Sequence, residues 1–122
     1  MREFLWSEDM ADACVFLMEN RDFKDTYHSA LTLVPDLNSG ESQEIRNTHI
    51  NIGTGKEVSI KQLAETIREI VGFSGKLFFN SDKPDGTLRK LTDSSKLADL
   101  GWTYKVELRE GIERIYGWYL QD

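Results

Sequence analysis

The sequence predicts a small mixed α/β domain of about three short strands and four helices. Two observations carry this reading. Three runs, REFLW (2–6), HINIG (49–53) and KLFFN (76–80), are rich in β-branched and aromatic residues and are each followed by a polar residue. Among them stand four segments whose apolar residues recur at the spacing of an amphipathic helix. Strands this far apart along the chain favour parallel or mixed pairing over hairpins.

Taken in order, residues 2–6 read as a strand with only Met1 ahead of it, which suggests a piece of something longer. Ser7 is positioned to cap a helix whose first turn carries Glu8 and Asp9, where negative charge meets the positive end of the helix dipole. Met10, Ala13, Cys14, Leu17 and Met18 give that helix its expected apolar face, with Asp9 and Asp12 as solvated positions. Residues 21–48 contain a possible helical turn around Tyr27 to Leu33, then Pro35 and Asn38-Ser39-Gly40, and read as a variable loop or partial helix.

The strand 49–53 runs into the turn Gly53-Thr54-Gly55, and the best-specified helix follows. Ser59 is its N-cap, Gln62 completes a capping box and Val58 is placed to staple against Leu63. Ile60, Leu63, Ala64, Ile67, Ile70 and Val71 form its apolar stripe, and Gly72 closes it. Asp93 is placed to cap a short helix carrying Leu97 and Leu100 and ending at Gly101. Leu108, Ile112, Ile115, Tyr116 and Tyr119 mark a terminal amphipathic helix, weakened at Gly111 and Gly117 by about 1 kcal/mol each relative to Ala.

At 122 residues the chain has the size of one domain, with 39% hydrophobic and 30% charged residues. A net charge of −6 opposes a nucleic-acid partner. The single cysteine, Cys14, sits in an apolar stretch and is expected to be buried. His28 and His49 have no companions at ligand spacing, so no metal site is expected. Neither a membrane span nor a signal peptide is apparent, which points to the cytoplasm.

Familiar catalytic and cofactor patterns fail on inspection. GTGK (53–56) has Ile50 and Glu57 where a Walker loop needs Gly and Ser or Thr. A dinucleotide fingerprint would need glycine in place of Val58. Tyr27, Tyr104 and Tyr116 are followed four residues later by Leu31, Leu108 and Leu120, so the Tyr-x-x-x-Lys pair of a tyrosine-dependent reductase is missing. No catalytic residue is assigned.

One stretch does suggest a ligand. In SDKPDGTLRKL (81–91), Pro84 and Asp85-Gly86 specify an ordered turn, followed closely by Thr87, Arg89 and Lys90. A carboxylate beside several cationic donors suits a sugar nucleotide, whose ribose hydroxyls seek an acceptor and whose diphosphate seeks Lys or Arg. A solvated loop would present the same residues without a ligand.

REFLWSEDMADACVFLMEN, HINIGTGKEVSIKQLAETIREIVGFSG, KPDGTLRKLTDSSKLADLGW and LREGIERIYGWYLQ together resemble the C-terminal part of the GDP-L-fucose synthase family, among the extended short-chain dehydrogenases/reductases. The resemblance spans nearly the whole chain except about 21–48; KPDGT-x-RK is its most specific motif. It implies epimerisation and NADPH-dependent reduction of GDP-4-keto-6-deoxymannose to GDP-L-fucose. It also implies that the NADP site and the catalytic Ser, Tyr and Lys belong to an N-terminal Rossmann part that residues 1–122 do not include. Such a chain would be the substrate-binding domain alone, inactive without that partner.

By matching position, Arg2 corresponds to the family arginine on the nucleotide diphosphate, Asp85 to the aspartate on the substrate nucleotide, and Lys90 to the final lysine of the motif. Departures are Leu88 in place of Pro, Trp6-Ser7 in place of His-Val, and Tyr104 in place of Pro. The alternative is a stand-alone, non-catalytic module derived from a sugar-nucleotide epimerase or dehydratase, with an assembly role. Either way, unpaired edges at REFLW and HINIG predict self-association.

Overall fold

The computed structural model describes residues 1–27, 47–80, 82 and 86–121. Four α-helices appear in chain order: α1 (Ser7–Asn20), α2 (Ile60–Val71), α3 (Ser95–Asp99) and α4 (Leu108–Tyr119), with a single 3-10 turn at Phe23–Thr26 after α1. The expected helix around 27–33 lies, past Tyr27, outside the described residues.

Helix α2 forms as its local chemistry dictates. Ser59 Oγ accepts from the Gln62 amide at 3.1 Å and Gln62 Oε1 accepts from the Ser59 amide at 2.9 Å, so two N–H groups with no partner inside the helix are satisfied. Gly72, at φ 68°, closes the helix in the left-handed region, as predicted. The short helix α3 starts one residue later than a simple cap would place it, after Ser94. Asp93 still does the capping work: its Oδ1 accepts from the Ser95 amide at 3.0 Å and the Ser95 hydroxyl at 2.7 Å.

Three sequence expectations are corrected. First, the described residues contain no strand ladder; runs 2–6, 49–53 and 76–80 carry a single antiparallel bridge, Arg2 with Val58, closed by two 2.9 Å hydrogen bonds. Carboxylates instead take up nearby amides that a neighbouring strand would otherwise satisfy. Glu3 accepts from the amides of Thr54, Gly55 and Thr92, and Asp9 from those of Lys105 and Val106.

Second, Ser7 is the first residue of α1 rather than its cap; Trp6 holds the cap position, its indole N–H donating to Glu8 at 3.0 Å and capping no backbone group. Third, α1 is rotated from its expected face. Asp9 and Ala13 are buried, with Phe16 and Leu17 packed behind them, whereas Met10, Cys14, Val15 and Met18 are exposed. Asp9 selects this rotation, because a buried carboxylate with two amide donors cannot be turned out without orphaning them.

The core is small. Ala13, Leu97 and Trp102 form its centre, with Phe16, Leu17, Ile50, Ile52 and Tyr104 partly buried around them. Asp12 fixes the indole by accepting from Trp102 Nε1 at 2.8 Å, and its other contact, Lys105 Nζ at 2.9 Å, holds the same segment. Helices α2 and α4 pack on each other. Arg109 spans that seam to Glu69 at 3.1 Å. Gly111 is buried because Trp6 lies against it: an added Cβ would sit 3.2 Å from the indole.

Candidate functional site

Glu3 determines what stands beside Arg2. Its Oε1 receives the Thr54 and Gly55 amides at 2.7 Å each, and its Oε2 receives the Thr92 amide at 2.9 Å. Burial pushes this carboxyl up, but the hydrogen bonds from Thr92, Gly55 and Thr54 together outweigh burial and hold it below the usual carboxylate range. Gly53 permits the approach, since a Cβ there would fall 2.6 Å from Glu3 Oε1. The glycine turn 53–55 is therefore an anion cradle filled by the chain's own carboxylate. With the Thr54 and Gly55 amides committed to Glu3, this turn offers them to no cofactor phosphate.

Arg2 is half-buried, and its Nη1 donates to the carbonyls of Met1 at 2.7 Å and Thr87 at 2.6 Å. Its Nη2 lies 3.1 Å from where a Cβ on Gly86 would stand. The Met1 amino group adds a 2.7 Å bond to the Leu88 carbonyl. Residues 86–88 of the KPDGTLRK motif are thus laid along residues 1–2, while Thr92 is pinned by Glu3. Two distant parts of the sequence, singled out separately, share one surface.

The remaining site residues fall as follows. Asp85 lies outside the described residues, as does Pro84, so the predicted turn is described only from Gly86 onward. Lys90 is exposed, and among the described residues it has no ion-pair partner. Its neighbour Arg89 is engaged instead: Nη2 meets Glu57 Oε1 at 2.9 Å and Nε donates to Glu57 Oε2 at 3.1 Å. Glu57 gave no signal in the sequence, because nothing local marks an acidic residue before a helix cap as the partner of an arginine 32 positions on.

Behind Arg2 is a cavity of about 100 Å³ bordered by Phe4, Lys56, Val58, Tyr104 and Glu107. Lys56 Nζ meets Glu107 Oε1 at 2.7 Å, and the Tyr104 hydroxyl donates to the same oxygen at 2.9 Å. The lysine also sits 5.3 Å from the Tyr104 ring centroid. Hydrogen bonding to Glu107 and then Tyr104 raises the Lys56 ammonium well above its ordinary value, and Lys56 followed by Tyr104 holds Glu107 below its own. The cluster pairs one ammonium with one carboxylate.

A larger cavity, about 460 Å³, is lined by Asp25, Asn47, His49, Asn51, Asp93 and Lys96. None of these was singled out as a site residue. Lys96 is already bonded to the carbonyls of Asn47 and His49. Among the described residues no group of three or more His, Cys, Asp or Glu could hold a metal ion, and no helix is long and apolar enough to cross a membrane.

No family model matches the chain. Its relatives are clear nonetheless. "GDP-L-fucose synthase 1" of Arabidopsis thaliana is 48% identical over all 122 residues, which make up 31% of that protein. "GDP-L-fucose synthase" of Escherichia coli (strain K12) is 38% identical over the same 122 residues, 34% of its length. Among solved structures, a GDP-D-glycero-L-gluco-heptose synthase from Campylobacter jejuni, determined in the presence of NADPH, is 43% identical with a TM-score of 0.79. The match covers 98% of this chain and 30% of that one. The chain spans about a third of the length of the curated relatives it matches, and over all 122 of its residues it is similar to proteins named GDP-L-fucose synthase.

Proposed function

We propose that the chain is the GDP-sugar-binding part of a GDP-L-fucose synthase, with Arg2, Asp85 and Lys90 as its nucleotide-contacting residues. The observation that carries this is the docking of residues 86–88 on Arg2, which sets the residue after Asp85 against the guanidinium. Arg2 spends Nη1 on backbone carbonyls and keeps Nη2 at the edge of the motif, where a planar donor suits a diphosphate oxygen. Asp85 accepts from ribose hydroxyls, and Lys90 meets the diphosphate as a point charge.

In this reading the chain supplies no catalytic group and no cofactor site. Epimerisation and hydride transfer from NADPH to the 4-keto sugar fall to the remaining length that the relatives have, and this chain without it is inactive. The C-terminal placement, the Rossmann partner and a cytoplasmic location belong to the same proposal.

Calorimetric titration of GDP and GDP-fucose into the chain tests it. Saturable heat is expected, with Arg2→Ala and Asp85→Ala each weakening binding by about 1.5 to 3 kcal/mol. Binding that survives both substitutions refutes the assignment of these residues. No binding by the chain, together with binding after the family's N-terminal part is joined to it, places the loss in the missing wall of the cleft. No binding in either form refutes the proposal.

A further inference from the structure

We infer that Glu57 is a positioning residue for the nucleotide site: by clamping the Arg89 guanidinium it fixes residues 86–90 and leaves Lys90 as the motif's ligand-facing cation. The inference rests on the GDP-sugar reading and assigns different work to the two adjacent cations of that motif.

The geometry separates Arg89 from Lys90. Both oxygens of Glu57 meet Arg89, at 2.9 and 3.1 Å, in the planar fork geometry that an arginine and a carboxylate adopt together. The Glu57 side chain is only 15% exposed, although Arg89 is 66% exposed. The arginine thus reaches in from the surface to a carboxylate held in place, which distinguishes this pair from a mobile surface contact. Glu57 itself is followed at once by two structured points: Val58 pairs with Arg2 and Ser59 caps α2.

The 86–92 stretch consequently has anchors along its length. Thr87 is held by Arg2, Arg89 by Glu57 and Thr92 by Glu3. Lys90 lies between the anchored residues and is exposed. A guanidinium already spanned by a carboxylate has its best-aligned donors committed, so a phosphate would have to displace Glu57 to use it. An ammonium with no ion-pair partner among the described residues faces no such competition.

A double-mutant cycle with two readouts tests this on the whole chain, with GDP as the probe. Hydrogen exchange of the peptide covering 86–92, measured without nucleotide, is expected to quicken about fivefold in both Glu57→Gln and Arg89→Gln. Lys90→Ala is expected to leave that exchange unchanged. GDP affinity is expected to fall about tenfold in Glu57→Gln, in Arg89→Gln and in the double variant alike, because the two residues act as one unit. Lys90→Ala is expected to weaken GDP binding by a similar factor.

Unchanged exchange in Glu57→Gln overturns the positioning role. A loss in Arg89→Gln well beyond that in Glu57→Gln overturns the division of labour, since Arg89 would then touch the nucleotide itself. If the unaltered chain takes up no GDP in any form, the GDP-sugar reading falls and takes the role of Lys90 with it, while exchange still decides whether Glu57 holds the segment. A melting temperature within about 2 °C of the unaltered chain separates local loosening from global unfolding.

Discussion

Removing the charge at Glu3 tests the anion cradle directly. In Glu3→Gln the side chain keeps its shape but has one acceptor oxygen in place of two, and its NH2 must face an amide N–H. Either Thr92 or the Thr54–Gly55 pair is left without a partner. Hydrogen bonds to charged groups contribute about 1.5 to 3 kcal/mol each and are not additive around one carboxylate, so the expected loss is about 2 to 4 kcal/mol. For a domain of this size that lowers the melting temperature by about 10 °C.

The pH dependence has a definite sign. The folded Glu3 carboxyl lies below its ordinary value, so its stabilisation is complete above the unfolded value of about 4.3 and is lost as pH falls through the folded one. Asp12, Asp93 and Glu107 are depressed as well, so the wild-type curve contains all four. The difference between wild type and Glu3→Gln isolates this one. Urea titrations followed by tryptophan fluorescence, at about pH 7 and at steps down to about pH 3, measure it. The reasoning is refuted if the two proteins lose stability in parallel as pH falls. Gly53→Ala, whose Cβ would fall 2.6 Å from Glu3 Oε1, is expected to reproduce the loss and to add little to Glu3→Gln.

The two glycines of α4 are expected to respond oppositely to alanine. At Gly117 nothing lies within 4 Å of an added Cβ, so Gly117→Ala stabilises by about 0.5 to 1 kcal/mol through helix propensity; at Gly111 the Trp6 ring stands 3.2 Å away and cancels or reverses that gain, which thermal melts will show. Self-association is still expected, although strand edges no longer motivate it. Met18, Phe78, Leu88 and Trp118 are 77%, 88%, 82% and 66% exposed, and size-exclusion chromatography with light scattering is expected to show the mass rising with concentration. A monomer throughout would contradict it.

Features set by neighbours in sequence were legible. The Ser59–Gln62 capping box and the Gly72 stop depend on residues a turn apart, and the structure carries both. Arg2 was singled out through a resemblance and the 81–91 motif through its chemistry, and the described residues bring the two together at 86–88. What the sequence concealed were decisions made by distant partners. Glu3 meets Thr92 across 89 positions and Asp9 meets Val106 across 97, and nothing about either carboxylate announces an amide so far away. The same contacts explain the misread part of α1: periodicity finds a stripe at Met10, Ala13, Cys14, Leu17 and Met18, but with Asp9 buried only Ala13 and Leu17 of these pack on the core, and Met10, Cys14 and Met18 stay exposed. The missing ladders have a related cause, since strand propensity needs a neighbouring strand to act on.

Residues 1–12 fasten segments that follow much later in the sequence. Arg2 waits for Val58, Glu3 for Thr92, Asp12 for Trp102 and Asp9 for Val106, while Trp6 packs against Gly111. Contacts this long-range close slowly, because most of the chain's freedom must be given up before any of them forms. During synthesis residues 1–12 therefore leave the ribosome with these partners still unmade. Helix α2 is free to form earlier, but the surface that joins Arg2 to the 86–88 segment assembles only once that segment has emerged.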